Sequence, residues 1–170
     1  LGHHRKILQI VGYQNSGKTT VMEQLITQAK TEGLRVGTIK HHGHGGIPAI
    51  ESSKDSARHE KAGASVTAVE GEGTLRMSIH QSNWQLADIL AIYESIEMDI
   101  ILIEGYKNEH FPKVVLLRQA EDQSLLQKVS NIVCVLYWPT YPLDKPLDYP
   151  TFLIHEKAQY MEVLMKEMRK

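Results

Sequence analysis

The run Gly12-Tyr13-Gln14-Asn15-Ser16-Gly17-Lys18-Thr19 restricts what this chain can become more than any other stretch in it. It reads G-x-x-x-x-G-K-T, a pattern that works mechanically only between a buried strand and a helix. Gly12 and Gly17 permit backbone conformations that a side chain would forbid, so successive amides can turn inward toward phosphate oxygens. Lys18 is a flexible cation that can reach β and γ phosphates, and the Thr19 hydroxyl suits Mg²⁺. A helix starting here adds its positive end to the same anion site. Both flanks agree with this. Ile7-Leu8-Gln9-Ile10-Val11 has the short, β-branched character of a buried strand. Val21, Met22, Leu25, Ile26 and Ala29 then recur at helical spacing, up to a stop at Gly33.

The remaining residues extend this unit into an α/β fold. Val36 to Lys40 predicts a second strand, followed by His41-His42-Gly43-His44-Gly45-Gly46-Ile47-Pro48, which is too rich in Gly and Pro for regular structure. A short helix is expected over 54–61. Strands at 65–69 and 75–80 should form a hairpin with three turn residues, or an antiparallel edge. A helix over 83–94 has Ser82 as candidate N-cap and Leu86, Ile89, Leu90 and Tyr93 on its apolar face. Ile100-Ile101-Leu102-Ile103 has the continuous apolarity of a central parallel strand. Two further strands fall at 113–117 and 132–136. Pro139, Pro142, Pro146 and Pro150 then impose an irregular passage. Ala158, Met161, Leu164, Met165 and Met168 mark a closing amphipathic helix whose methionines read as ordinary core. The expected whole is one phosphate-loop NTPase domain over 1–170, mostly parallel, with one antiparallel part. Leu1 to Lys6 reads as a trimmed or engineered end, and no chemistry is assigned to His3 or His4.

Composition removes several function classes. A net charge of −1 and a pI near 6.8 give no bulk electrostatic case for nucleic acid or an anionic membrane. No apolar stretch approaches the roughly 20 residues that span a bilayer. Cys134 is the one cysteine, in the apolar run Ile132-Val133-Cys134-Val135-Leu136; it reads as a small buried hydrophobe in a reducing cytoplasm.

A phosphate loop also needs an acid to organise Mg²⁺, placed at the end of a neighbouring hydrophobic strand. Asp99 and Glu104 bracket the strand Ile100–Ile103. Ligands gather at the carboxyl ends of parallel strands, which selects Glu104. Gly105 beside it lets the backbone approach a γ phosphate. Asp55, just past the His/Gly-rich stretch, has two readings: a group for the metal or the attacking water, or a helix-start acid favoured by the helix dipole. His41, His42 and His44 raise a structural zinc site, but adjacent strand histidines point to opposite faces. The alternative sets Lys40, His41, His42 and Lys107 beside the nucleotide, facing the γ phosphate or the phosphate of a second, anionic ligand; an exposed loop without ligand is the plainest reading.

Taken together, Gly12 to Thr20, Ile39-Lys40-His41-His42-Gly43-His44, Lys54-Asp55-Ser56 with Ala62-Gly63-Ala64, and Asp99 to Lys107 resemble the molybdopterin-guanine dinucleotide biosynthesis protein B family. The likeness runs from the first strand to about Leu117. It implies a homodimeric, GTP-binding, weakly hydrolytic protein that assists the guanylyltransferase joining GMP to molybdopterin. It further implies that Gly12 to Thr20, with Thr20 included, hold the phosphates and that Glu104 serves Mg²⁺. The N/T-K-x-D string by which many GTPases read guanine is absent, and Asp144-Lys145 does not replace it. The phosphate loop accepts ATP equally well. An ATP-dependent small-molecule kinase, or a ligase of the dethiobiotin synthetase type, is therefore the competing reading, and a pure binding adaptor is a third.

Overall fold

The computed structural model describes residues 5–41, 54–143 and 146–170. The elements run β1 (Lys6–Gly12), α1 (Lys18–Thr31), β2 (Val36–Lys40), α2 (Lys54–Lys61), β3 (Val66–Gly71), β4 (Thr74–Ile79), α3 (Leu86–Tyr93), β5 (Ile100–Glu104), β6 (Lys113–Leu117), a 3-10 helix (Ala120–Gln127), β7 (Ile132–Tyr137), β8 (Thr151–Leu153) and α4 (Lys157–Arg169). They fall into two compact units, Leu1–Gly43 with Tyr93–Lys170, and His44–Ile92.

The first unit is built on a six-stranded sheet of order β2-β5-β1-β6-β7-β8. Every pairing in it is parallel. β1 therefore lies between two strands that follow it late in the chain, and its carboxyl end opens at a point where connections leave in opposite directions. That is the usual ligand crevice of such sheets. On one face, Val21, Met22, Leu25 and Ala29 of α1 and Tyr160, Met161, Leu164, Met165 and Met168 of α4 bury Leu8, Ile10, Ile100, Leu102, Val114, Leu116, Cys134 and Leu136. The methionine face of α4 is core, as expected. On the other face, Val11, Val115, Leu117, Leu125, Val135 and Tyr141 form a smaller cluster under the 3-10 helix.

The connection from β5 to β6 crosses β1 without a helix, and two polar side chains anchor it. Gln9 sits in β1 with its face toward this connection, and its Nε2 donates to the carbonyls of Gly105 at 3.1 Å and Tyr106 at 2.8 Å. At the far end the buried Lys113 ammonium donates to the carbonyls of Glu109 and Phe111, at 2.7 and 2.8 Å. Backbone oxygens of the connection thus find donors where no helix supplies them.

In the second unit, β3 and β4 pair antiparallel as a separate two-stranded sheet. The hairpin is as expected, but its turn is two residues, Glu72 (φ 51) and Gly73 (φ 75), rather than three. Two consecutive left-handed residues match the right-handed twist of the flanking strands. Val66, Leu75 and Met77 share one exposed face, while Thr67 on the other is buried and donates to Glu60 at 2.9 Å. α3 begins at Leu86, later than expected, and Ser82 is not its cap. The Asp88 carboxylate accepts the Gln85 amide at 3.0 Å and starts the helix there.

Sequence periodicity missed two elements in the first unit. The 3-10 helix is secured by the buried Asp122, and β8 directly follows Pro150, whose carbonyl accepts the Val135 amide at 2.9 Å. β1 starts at Lys6, one residue before the apolar run, with the Lys6 amide donating to Asp99 O at 3.1 Å. Among the described residues, no helix is long and apolar enough to cross a membrane.

Candidate functional site

The loop Gly12–Thr19 leaves β1 at the carboxyl edge of the parallel sheet. Its first glycine is dictated by space, since a Cβ on Gly12 would lie 2.5 Å from Ser16 Oγ and 3.1 Å from the Leu116 carbonyl. Gly17 is dictated by conformation, with φ at 96, and Asn15 also takes a left-handed φ of 58. Alternation of this kind turns neighbouring amides toward one concavity. α1 then starts with Gly17 as its N-cap, with no side-chain cap and no acid in its first turn. Its N-terminal amides and positive dipole end therefore have no internal carboxylate to answer them.

Lys18 Nζ donates to the Tyr13 carbonyl at 2.7 Å, closing the loop on itself. Burial pushes its pKa below the ordinary lysine value; the nearby Glu104 carboxylate opposes this, and Lys40 adds to it. A second anion at this position would favour the charged form.

Glu104, at the carboxyl end of β5, is buried and stands in register with Ile10 of β1 on one side and Lys40 of β2 on the other. Thr19 Oγ1 lies 3.4 Å from its Oε2, and Lys40 Nζ 3.3 Å from its Oε1. The acid chosen from strand polarity thus meets the loop hydroxyl chosen from the motif. Hard oxygen donors of this kind fit Mg²⁺, which binds through few protein oxygens and keeps much of its water. Asp99, at the opposite edge, accepts the Arg35 amide at 2.7 Å and is structural.

The remaining predicted residues divide. The His41 amide donates to Glu104 O at 2.9 Å, and its ring lies 4.4 Å from that of Tyr106. Lys107 Nζ sits 5.5 Å from the centroid of Tyr13. The Tyr13 hydroxyl approaches Ser124 Oγ at 3.5 Å; that hydrogen bond, aided by Lys128 and Lys107, lowers its pKa against a smaller effect of burial. Gln14, Asn15 and Thr20 are exposed around the loop. Asp55 belongs to the second unit, in the first turn of α2, where it pairs with Arg58 at 3.9 Å. His42, His44, Asp144 and Lys145 lie outside the described residues. Cys134 is buried in β7, its thiol pushed up to about 12 by desolvation, which suits a core residue and not a nucleophile.

Three residues at this edge escaped the sequence reading. Arg118 Nη1 donates to Asn15 O at 2.8 Å, Trp138 Nε1 donates to Ser16 O at 2.8 Å, and Gln9 holds the carbonyls after Glu104. A signal existed for each. Gln9 is the one polar residue inside an apolar strand, and Arg118 and Trp138 each directly follow a strand, as Gly105 follows β5.

Comparison with known proteins identifies the family. Residues 7–138 match the family model for molybdopterin guanine dinucleotide synthesis protein B. A Bacillus subtilis protein described as a probable molybdopterin-guanine dinucleotide biosynthesis adapter is 47% identical over 147 residues, 86% of this chain and 84% of that protein. A Haemophilus influenzae adapter of the same description is 32% identical, covering 81% of this chain and 76% of its own length. Among solved structures, Bacillus subtilis MobB superposes with a TM-score of 0.83 at 36% identity, over 95% of this chain and 97% of that one. The MobB homologue of Bacillus stearothermophilus gives 0.78 at 40% identity, over 96% and 97%. Motif, fold and similarity converge, and the chain belongs to the molybdopterin guanine dinucleotide synthesis protein B family.

Proposed function

We propose that this protein is a GTP-binding adapter in the synthesis of the guanine dinucleotide form of the molybdenum cofactor, with slow GTP hydrolysis as a secondary activity. The observation that carries the nucleotide half is the meeting of Thr19 with Glu104 at the mouth of the Gly12–Thr19 loop. The adapter half rests on family membership and on the descriptions of the relatives above.

In this reading the loop amides and Lys18 hold the β and γ phosphates, and Thr19 and Glu104 hold Mg²⁺. The ion would supply charge neutralisation to the phosphate oxygens. Lys18 leaves the Tyr13 carbonyl for the phosphates, trading one neutral acceptor for charged ones. Lys40 remains beside Glu104 as a second cation for the triphosphate. Asp55 takes its other reading, an acid in the first turn of α2 that favours the helix start. Lys107 and His41 are assigned to the phosphate of molybdopterin, a role the sequence also offers for His42, and the guanylyltransferase is the protein partner. A cytoplasmic setting suits a chain whose single cysteine can form no intrachain disulfide. We assign a homodimer as the working assembly; light scattering should return twice the 19.3 kDa chain mass, and a monomer at all concentrations would remove this assignment.

The deciding experiment is a calorimetric comparison of GTP with ATP, each with Mg²⁺. Preference for GTP of about tenfold or more, equivalent to about 1.4 kcal/mol, is the expected result. Preference for ATP would move the protein to the kinase or ligase class, since the loop reads only the phosphates shared by both nucleotides.

A further inference from the structure

We propose that Arg118 and Trp138 are positioning residues of the phosphate cradle, acting as a two-point clamp on its peptide planes. The proposal rests on the reading of Gly12–Thr19 as a triphosphate site, and it deepens that reading by naming what holds the cradle in shape.

The argument begins with peptide geometry. In a trans peptide the carbonyl of one residue and the amide of the next point in opposite directions. Arg118 Nη1 draws the Asn15 carbonyl to one side at 2.8 Å, and Trp138 Nε1 draws the Ser16 carbonyl at 2.8 Å. Fixing those oxygens directs the Ser16 and Gly17 amides the opposite way. Of these, the Ser16 amide makes only a long contact, 3.4 Å, with Tyr13 O across the loop. The clamp also falls where the backbone most needs support, on the two peptides that flank Ser16, between the left-handed Asn15 and the left-handed Gly17. A non-glycine residue there is costly unless its surroundings impose it. Either peptide could otherwise flip, and each flip would withdraw one donor from the anion.

The mounting of the clamp is itself rigid. Arg118 follows β6, and its amide and that of Gln119 both donate to the buried Asp122 carboxylate, at 2.7 and 3.2 Å. Its carbonyl accepts from Thr140 Oγ1 at 2.7 Å. Trp138 follows β7, its amide bonded to Leu117 O at 2.9 Å. The guanidinium lies 5.3 Å from the indole, so the two clamp arms support each other. The carboxyl ends of β6 and β7 thereby set the shape of a loop that leaves β1.

The test is titration of GTP and of inorganic tripolyphosphate, each with Mg²⁺, into the full chain and its Trp138→Phe, Arg118→Met and Arg118→Lys variants. Loss of one hydrogen bond that orders the loop should weaken both ligands about tenfold in Trp138→Phe and in Arg118→Met. Equal loss for the two ligands is the mark of a phosphate effect, because tripolyphosphate has no base. Arg118→Lys, which keeps a donor, should recover to within about threefold of the parent. In the ligand-free protein the Ser16 and Gly17 amide resonances should move in the two clamp-breaking variants, a change that a stability effect elsewhere would not produce. Should Arg118→Met fail to fold, Trp138→Phe decides alone, since phenylalanine keeps an aromatic ring at this place and removes the indole donor. Parent-like affinity for tripolyphosphate in that variant, with unmoved Ser16 and Gly17 amides, overturns the clamp while leaving the nucleotide reading standing. A parent chain that binds neither ligand overturns the nucleotide reading, and the clamp with it.

Discussion

Lys18→Ala is expected to lower triphosphate affinity by about 100- to 1000-fold while leaving the melting temperature within about 2 °C of the parent. The size of the loss follows from charge: a lysine bridging two phosphates makes hydrogen bonds worth about 1.5–3 kcal/mol each. The small stability effect follows from the structure. The Lys18 ammonium donates to the Tyr13 carbonyl, and burial works against its charge. It also occupies the first position of α1, where a cation opposes the helix dipole and alanine is the better helix former. The costs and gains of removal therefore nearly cancel in the free protein. Calorimetric titration beside a thermal melt measures both. A variant that binds triphosphate as the parent does would show that the loop is not the phosphate site; one that melts far lower would show that Lys18 belongs to the framework.

Leu102→Ala should behave in the opposite sense, destabilising the fold by about 3–5 kcal/mol and lowering the melting temperature by roughly 10 °C. Leu102 is fully buried in β5, between β1 and β2, within the cluster that α1 and α4 cover. Truncation there removes transfer free energy and leaves a cavity that paired strands cannot collapse to fill. Below the new midpoint the surviving folded protein should still bind triphosphate, because Glu104 is held by register with Ile10 and Lys40 rather than by Leu102. Circular dichroism melts settle the first part. A drop under about 3 °C would contradict the central placement of β5.

These two substitutions mark how far residues alone could be read. The loop, the strand before it and the helix after it were legible because each carries a local physical requirement: glycines for backbone freedom, a short apolar and β-branched run for burial, helical spacing for α1. Glu104 was legible for a related reason, since strand direction in a parallel sheet tells which end faces the ligand. Its partners were less so. Lys40 stands against Glu104 because β2 and β5 pair in a register that no local pattern encodes. The hairpin turn was misjudged by one residue, since Glu72 accepts a left-handed conformation that composition does not favour.

Local chemistry in the chain was thus enough to propose a phosphate cradle with its cation, its hydroxyl and its acid, because each of these is a short-range demand on neighbouring residues. The clamp on that cradle could not be read the same way. Arg118 and Trp138 lie 103 and 122 positions from the carbonyls they hold, and side chains so distant in sequence meet only once β6 and β7 are laid beside β1. Sheet order, a property of the whole folded unit, brings them there.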